Sequence, residues 1–274
     1  MFHASCFMFM YDTHCHLNFK AFAEDYYTIT KKSIDAGMLL NIVGTQYETS
    51  KRAVAIANEF ADSSVYAAVG LHPTHLNKND VVHKWDYEKY RELAFQPKVV
   101  AIGETGIDHF HDTENVNKQQ EIFEEHIKLA RELGRPLIIH CRPSHNSFDA
   151  YNDLLAILKN TPKPINGVVH CFLGNRDLAE QFLELGAYLS FTGIITFKNA
   201  DASLLETVKN IPLDKIMIET DAPYLAPEPF RGKTNYPYYV EYVARKIGEV
   251  KNISVGEVIK TTEKNGKLLF LNKF

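Results

Sequence analysis

The chain has 274 residues, of which 45% are hydrophobic and 23% are charged, so it can bury a large apolar core. This composition excludes a disordered, fibrous or disulfide-dependent protein. The net charge of −4 provides no broad basic field, so any nucleic-acid substrate would have to be bound by cations placed locally at a site.

The first ten residues, MFHASCFMFM, are apolar but lack the basic segment and the length of a secretion signal. We interpret residues 1–7 as an N-terminal extension and residues 8–274 as a single domain. No stretch reaches the roughly 18 apolar residues that a membrane span requires. Three of the four cysteines directly follow a histidine in runs typical of buried strands, which predicts a reduced, cytoplasmic protein.

Short apolar runs rich in Val, Ile and Phe alternate along the chain with longer helical patterns. The runs predict eight strands, at residues 9–16, 40–45, 65–73, 99–106, 136–141, 167–172, 187–193 and 216–223. Between the fourth and fifth strands, residues 117–134 predict a helix that ends at Gly134. One stripe of that helix would carry Ile122, His126, Leu129 and Leu133. Near the end of the chain, Ser254 and Glu257 have the spacing of a capping box, which predicts another helix start.

Eight alternations of strand and helix in a chain of this length are typical of an α/β protein of the single-domain (β/α)₈ TIM barrel class. The alternative is a doubly wound open sheet, which usually has fewer strands and often a glycine-rich phosphate loop. The sequence contains neither G-x-G-x-x-G nor a P-loop motif. The polar stretch at 75–84 is expected to be a loop on the upper face of the barrel.

In a barrel of this kind the active site lies at the carboxyl ends of the strands. Polar residues stand there on six of the predicted strands: His14, His16, His72, Glu104, His140, His170 and Asp221. A single histidine in such a place is more often a hydrogen-bonded core residue than a ligand. A set of this size at one level predicts a divalent-metal site.

Strand alternation separates these histidines from the neighbouring cysteines. His14 and His16 are two residues apart and should share one face, so Cys15 should point the opposite way. The same argument directs Cys141 and Cys171 towards the helical layer, where free cysteine packs as a small hydrophobe. We therefore reject both a thiolate metal site and a nucleophilic cysteine.

With His72 set aside, four histidines and two carboxylates remain as candidate ligands, which is too many for one tetrahedral zinc with an open position. The number suits two divalent ions per chain, Mg²⁺, Mn²⁺ or Zn²⁺. Two ions about 3.5 to 4 Å apart that share a carboxylate can clamp a phosphate and generate hydroxide. This arrangement suits hydrolysis of an ester.

Several motifs occur in the order of a known family. They are DTHCH at 12–16, AIGETGID at 101–108, PLIIHCR at 136–142, VVHCFLG at 168–174, ETDAPYLAP at 219–227 and RGKTN at 231–235. From about residue 8 to its end the chain resembles the TatD-type metal-dependent deoxyribonucleases, a branch of the amidohydrolase-like metal barrels. The resemblance implies a (β/α)₈ barrel that hydrolyses DNA phosphodiesters, often as an exonuclease from the 3′ end.

The resemblance also implies a ligand set. By position, the first ion would be held by His14, His16 and Asp221, the second by His140 and His170, and Glu104 would bridge the two. The sequence departs from the family at Thr234, where a basic residue is typical, and at Tyr236, where an acidic one is usual. The six proposed ligands are unaffected.

Further residues are assigned roles around the ions. Asp221 is expected to orient the attacking water and accept its proton. Phosphate contacts are expected from Arg142 and, in the loop after the eighth strand, from Arg231 and Lys233; solvated surface cations are the alternative for these side chains. His72 would face substrate or brace a ligand.

Other polar residues are expected to support the site or the core. Asp12 and Glu219 are expected either to hold a ligand histidine from behind or to make a structural hydrogen bond. His109 and His111 are expected to be solvent-exposed. His126 is explained by packing on its helix.

Other functions fit parts of the pattern. A binuclear amidohydrolase acting on a lactone, cyclic amide or phosphotriester often has a carboxylated lysine on strand 4, but here Glu104 takes that place and Lys98 precedes the strand. The ester of a D-aminoacyl-tRNA would suit the same site. A barrel that only binds a partner would not need this ligand set. We expect a DNA substrate, single-stranded or at 3′ ends, and no membrane or protein partner.

Overall fold

A computed structural model describes residues 9–76 and 85–272. In these ranges, eight parallel strands each pair with the next strand in sequence, and helices alternate with them. The strands are β1 (Tyr11–Cys15), β2 (Leu39–Val43), β3 (Val65–Val69), β4 (Val99–Asp108), β5 (Leu137–Arg142), β6 (Gly167–Val169), β7 (Tyr188–Phe191) and β8 (Ile216–Ile218). The predicted (β/α)₈ barrel is confirmed.

The helices follow the strands in the expected alternation. They are α1 (Tyr26–Asp35), α2 (Tyr47–Glu59), α3 (Tyr87–Ala94), α4 (Val116–Glu132), α5 (Asp149–Lys159), α6 (Arg176–Glu184), α7 (Ala202–Asn210), α8 (Val240–Lys251) and α9 (Val255–Phe270). The start predicted for the last helix is confirmed, since the Ser254 side chain accepts a hydrogen bond from the Glu257 N–H. None of these helices is long and apolar enough to cross a bilayer.

The barrel closes between β1 and the segment that follows β8. The Asp221 N–H donates to the His14 carbonyl at 2.9 Å, and the His16 N–H donates to the Ala222 carbonyl at 2.7 Å. These two bonds fix the loop after β8 against the end of β1. Residues from two distant parts of the sequence are thereby held at one point of the rim.

Two apolar layers surround the strands. The inner one fills the barrel and includes Tyr11, Ile138 and Met217, while the outer one lies between strands and helices. At the amino end, Phe270 of α9 packs edge-on against Tyr11, with ring centroids 6.0 Å apart. The amino end is therefore filled with side chains, which leaves the carboxyl end for a site.

The strand predictions were right in number and order, but several carboxyl ends were placed too late. The third, sixth and eighth strands end at Val69, Val169 and Ile218, before the polar residues assigned to them. β4 instead continues two residues further than predicted, to Asp108. Of the predicted loop at 75–84, residues 77–84 lie outside the described residues, as does the predicted extension 1–7.

Candidate metal centre

The first group of candidate ligands joins the end of β1 to the loop after β8. His14 Nε2 lies 3.1 Å from His16 Nε2, and Asp221 Oδ1 lies 3.2 Å from His16 Nε2 and 3.7 Å from His14 Nε2. Metal bonds of about 2.1 Å put the donors of one tetrahedral ion about 3.4 Å apart, which matches this spacing. The three donor atoms could therefore hold one ion.

Backbone contacts fix these side chains. His16 Nδ1 lies 2.8 Å from the Val43 carbonyl at the end of β2, so Nδ1 carries the proton and Nε2 is free to bind a metal. Asp221 has a positive φ of 56°, which turns the chain sharply after β8. The turn places its carboxylate beside both histidines.

The second group surrounds one oxygen of Glu104 on β4. Glu104 Oε1 lies 2.9 Å from His140 Nδ1, 2.9 Å from His170 Nε2 and 3.3 Å from His72 Nε2. His140 Nδ1 and His170 Nε2 are 3.3 Å apart. His72, for which the sequence left two roles open, therefore lies with the candidate ligands.

Glu104 connects the two groups. Its other oxygen, Oε2, lies 3.4 Å from His14 Nε2 and 3.8 Å from His16 Nε2. Burial alone would raise the pKa of this carboxyl, but the charges of His170, His72 and His14 outweigh burial and hold the pKa well below its usual value. The site therefore contains a buried anionic carboxylate with one oxygen directed at each group.

The local structure of β4 exposes the Glu104 side chain to both groups. Glycines stand on either side at 103 and 106, with φ values of 146° and 148° that side chains rarely adopt. A Cβ at Gly106 would collide with the His140 carbonyl on β5. This close approach brings Glu104 and His140 together.

Two carboxylates stand behind the candidate ligands. Asp108 Oδ2 lies 3.0 Å from His140 Nε2, and Glu219 Oε1 lies 3.3 Å from His170 Nδ1. Both carboxylates are fully buried. The contact of Glu219 with a candidate ligand agrees with its expected role. The sequence prediction assigned Asp108 no role. Its position four residues after Glu104 on one strand was a signal, because residues an even number apart on a strand share a face.

The donor chemistry fits divalent metal ions. Among residues 9–76 and 85–272, three sets of side chains bring their donor atoms within 4.8 Å of one another, and they are His14/His16/Asp221, His14/His170/Glu219 and His72/Glu104/His140. Imidazole nitrogens suit zinc, and carboxylates suit magnesium or manganese. In the described residues, His14 Nδ1 and Glu219 Oε2 are buried without a hydrogen-bond partner. Binding of metal ions would explain why so many polar atoms are buried together here.

A cavity of about 1120 Å³ opens over the two groups at the carboxyl end of the barrel. Arg142 lines it, and its guanidinium lies 4.1 Å from the centre of the Phe110 ring. Lys20, to which the sequence assigned no role, also lines the cavity. In the described part of the chain, two cationic side chains therefore line the cavity, although the net charge of the protein is negative.

The RGKTN segment contributes differently from the sequence prediction. Arg231 and Lys233 are absent from the described cavity lining, and Arg231 donates to Asn199 Oδ1 at 2.7 Å. The fully buried residue of this segment is Asn235, whose side-chain amide donates to the carbonyls of Thr220 at 2.8 Å and Tyr224 at 2.7 Å. Asn235 thus holds both sides of the turn that carries Asp221.

The role given to Asp12 is corrected. Its carboxylate accepts hydrogen bonds from the Thr220 N–H at 2.8 Å, the Thr220 hydroxyl at 2.6 Å and the His14 backbone N–H at 3.4 Å, and none of the described histidine rings bonds to it. The pairing of β1 is irregular between Asp12 and Cys15, so the alternation used to orient Asp12 fails there. The structural hydrogen bond was the right alternative, and it ties β1 to the chain after β8.

The cysteines were placed correctly in two of three cases. Cys15 and Cys141 are buried in the outer apolar layer, and burial raises their pKa values well above the usual range, so both stay thiols. Cys171 instead is only partly buried and lines the cavity, which the buried Cys141 also borders. It has a φ of 45° and lies beyond the end of β6 at Val169, where strand alternation no longer applies.

Three further histidines for which the sequence made a prediction differ in outcome. His111 is exposed as expected, with Nδ1 2.9 Å from Asp108 Oδ2. The prediction for His109 was wrong, since it is buried with its nitrogens 3.3 Å from Asp149 and 3.3 Å from Asp153. His126 packs on α4 as expected, and its Nε2 also accepts a hydrogen bond from the Leu71 N–H at 3.0 Å.

Comparisons with known proteins find relatives that match nearly the whole chain. The model of the TatD related DNase family matches residues 11–271. The uncharacterized metal-dependent hydrolase YabD of Bacillus subtilis (strain 168) is 39% identical over 267 residues, covering 95% of this chain and 98% of that protein. The corresponding protein YcfH of Escherichia coli (strain K12) is 38% identical over 275 residues, covering 96% of each. The crystal structure of YJJV, a TatD homologue from Escherichia coli K12, superposes with a TM-score of 0.85 at 30% identity, covering 96% of this chain and 98% of that chain.

Proposed function

This chain belongs to the TatD-related family of metal-dependent hydrolases, and from that premise we propose that it hydrolyses phosphodiester bonds in DNA as a 3′–5′ exodeoxyribonuclease. The observation that carries the proposal is the position of Glu104, whose two oxygens face separate groups of histidines at the floor of one cavity. Two divalent ions sharing a carboxylate suit hydrolysis of a phosphate ester.

The ions would be held by the residues that the sequence assigned. His14, His16 and Asp221 would hold one ion, His140 and His170 the other, and Glu104 would bridge them, with His72 as a further ligand of the second group. When bound, divalent ions lower the pKa of water towards neutrality and neutralise charge that develops on phosphoryl oxygens.

Asp221 is suited to accept the proton of the attacking water. Burial alone would raise its pKa, but the hydrogen bond and charge of His16 outweigh burial and hold the pKa below its usual value. The carboxylate is therefore anionic at neutral pH, and its side chain is still 15% exposed to the cavity. Proton transfer by a carboxylate in this position would contribute to turnover without a separate base.

Arg142 and Lys20 would bind the negatively charged phosphates of the substrate. Both line the cavity, and a guanidinium can bind a phosphate through two parallel hydrogen bonds. The net charge of −4 gives the rest of the surface no general attraction for DNA. Binding would therefore concentrate at the cavity, which suits an enzyme that acts on a chain end.

One alternative function is disfavoured by a specific contact. A carboxylated lysine on strand 4 would have to lie among the candidate ligands, but Lys98 precedes β4 and its Nζ donates to the Ser63 carbonyl at 2.7 Å, before β3. In this proposal Glu104 would therefore fill the bridging position without a lysine. Hydrolysis of a D-aminoacyl-tRNA ester would use the same residues, so the activity test below distinguishes this substrate from DNA.

The test offers the purified protein three substrates with Mg²⁺, Mn²⁺ or Zn²⁺: end-labelled single-stranded DNA, a D-aminoacyl-tRNA and a lactone. We expect shortening of the DNA from its 3′ end. Asp221→Asn should remove most of this turnover while circular dichroism shows an intact fold. Hydrolysis of the lactone or the tRNA ester without DNA cleavage would refute the proposal.

A further inference from the structure

Tyr224 presents an aromatic ring to solvent at the mouth of the cavity. Its side chain is 54% exposed, and it lines the cavity three residues after Asp221. Its N–H donates to the Asp221 carbonyl at 2.9 Å, and its own carbonyl accepts from Asn235 at 2.7 Å. The backbone of this residue is therefore fixed, so the exposed ring stands at a defined position beside the metal centre.

Phe19 provides a second ring from the neighbouring loop, after β1. One face of Phe19 stacks on His16, with centroids 4.2 Å apart and planes inclined by 11°. Phe19 also lines the cavity, and its ring centroid lies 6.4 Å from that of Tyr224 at an angle of 68°. The two rings meet at an angle and form a corner that opens into the cavity. His16, a candidate metal ligand, lies against one face of Phe19 in this corner.

Apolar side chains also line the same cavity. Leu173 is 40% exposed, and Ile194 and Leu225 line the cavity with it. Exposed apolar side chains gathered at one place mark binding surfaces in soluble proteins. Metal-bound phosphate needs no apolar wall, so this surface fits another part of the substrate. Planar rings stack on the faces of unpaired nucleobases, whatever their sequence.

We propose that this corner is a slot for one unpaired nucleobase of the nucleotide whose phosphate lies at the metal centre, with the base stacked on the exposed Tyr224 ring and in contact with Phe19. This inference rests on the proposed function and names what the enzyme recognises beyond the phosphate. The contact of Phe19 with His16 places the slot next to the candidate ligands, within one nucleotide of them. A base still paired in a duplex would be unable to enter it, because its faces are covered by its neighbours.

The test compares two single-stranded oligonucleotides that differ only at the end the enzyme degrades, where one has a normal nucleotide and the other an abasic one. Stacking is worth about 1–3 kcal/mol per base, so wild-type kcat/KM should favour the normal end by about fivefold or more. Tyr224→Ala should abolish most of this preference, and Tyr224→Phe should keep it. Tyr27→Ala, which removes a tyrosine 48% exposed on α1, is the matched control and should also keep it.

The outcomes separate the slot from the proposed function. If wild-type protein hydrolyses neither oligonucleotide with any of the metals, the proposed function fails and the slot with it. Equal hydrolysis of both ends by the wild type would overturn the slot alone. An unchanged preference in Tyr224→Ala would do the same.

Discussion

Asp108 Oδ2 lies 3.0 Å from His140 Nε2, which leaves Nδ1 as the nitrogen that His140 directs at Glu104. The contact fixes both the ring orientation and the atom that can bind a metal. Burial alone would lower the pKa of His140, but Asp108 and Glu104 outweigh burial and raise it. One carboxylate behind the ring would thus make this histidine a stronger ligand for a metal ion.

Asp108→Asn should weaken metal binding. The amide keeps the shape of the side chain but loses the charge that strengthens His140, and such changes typically cost about 10- to 100-fold in metal affinity or activity. Isothermal titration of the metal-free protein with Mn²⁺ or Zn²⁺ measures the change. Asp35→Asn, at an exposed aspartate paired with Lys31, is the matched control. Equal affinities in the two variants would show that Asp108 does not support the centre.

Asn235→Ala should destabilise the fold and the centre together. The change leaves the buried carbonyls of Thr220 and Tyr224 without their donor, at a cost of about 1–3 kcal/mol each in the free energy of unfolding. Urea denaturation measures this loss. Asn210→Ala, which removes an exposed side-chain bond to the Glu206 carbonyl, should cost far less. A loss at Asn235 no larger than at Asn210 would contradict the assigned role.

His126 should make stability depend on pH. Burial lowers its pKa to about 3, so the folded chain resists a proton that the unfolded chain accepts below its ordinary pKa of about 6.5. The contribution of His126 to the free energy of unfolding is therefore complete above pH 6.5. It is lost as pH falls towards 3, by about 1.4 kcal/mol per pH unit.

The measurement compares His126→Gln with the wild type by denaturation of metal-free protein between pH 7 and 4. Glutamine can donate to the Ile122 carbonyl and accept from the Leu71 N–H, as His126 does, but it does not titrate. The curve of the variant should fall less steeply with acid. The exposed His145→Gln should follow the wild type. Parallel curves for His126→Gln and wild type would refute the prediction.

Metal removal should lower both activity and thermal stability. A ligand that binds only the folded state adds about 2.7 kcal/mol when its free concentration is 100 times its Kd. We expect treatment with a chelator to lower Tm in a thermal scan and to stop hydrolysis, and addition of Mn²⁺ or Zn²⁺ to restore both. Activity that survives complete removal of metal, checked by mass spectrometry, would be incompatible with the proposed chemistry.

Much of this arrangement could be predicted from the sequence. The alternation of apolar runs and helices was enough for the barrel, and the polar residues after those runs pointed to the right end of it. His14, His16, Glu104, His140, His170 and Asp221 were assigned to one place and the structure brings them together. Their shared level follows from the parallel order of the strands, which needs no side-chain detail.

The failures come from places where the chain is not a regular strand. Alternation oriented Asp12 and Cys171 incorrectly, because the pairing of β1 is irregular and β6 ends before Cys171. The role of Asn235 depends on a turn that its own side chain builds. Contacts of this kind join segments distant in sequence, and no local pattern predicts them.

The most direct test of a two-ion centre is a crystal structure of the protein soaked with Mn²⁺ and recorded with anomalous scattering. Two peaks should appear, one beside each oxygen of Glu104, with His14, His16 and Asp221 around the first and His140 and His170 around the second. A single peak, or peaks that leave Glu104 without a metal on both sides, would contradict the bridged centre.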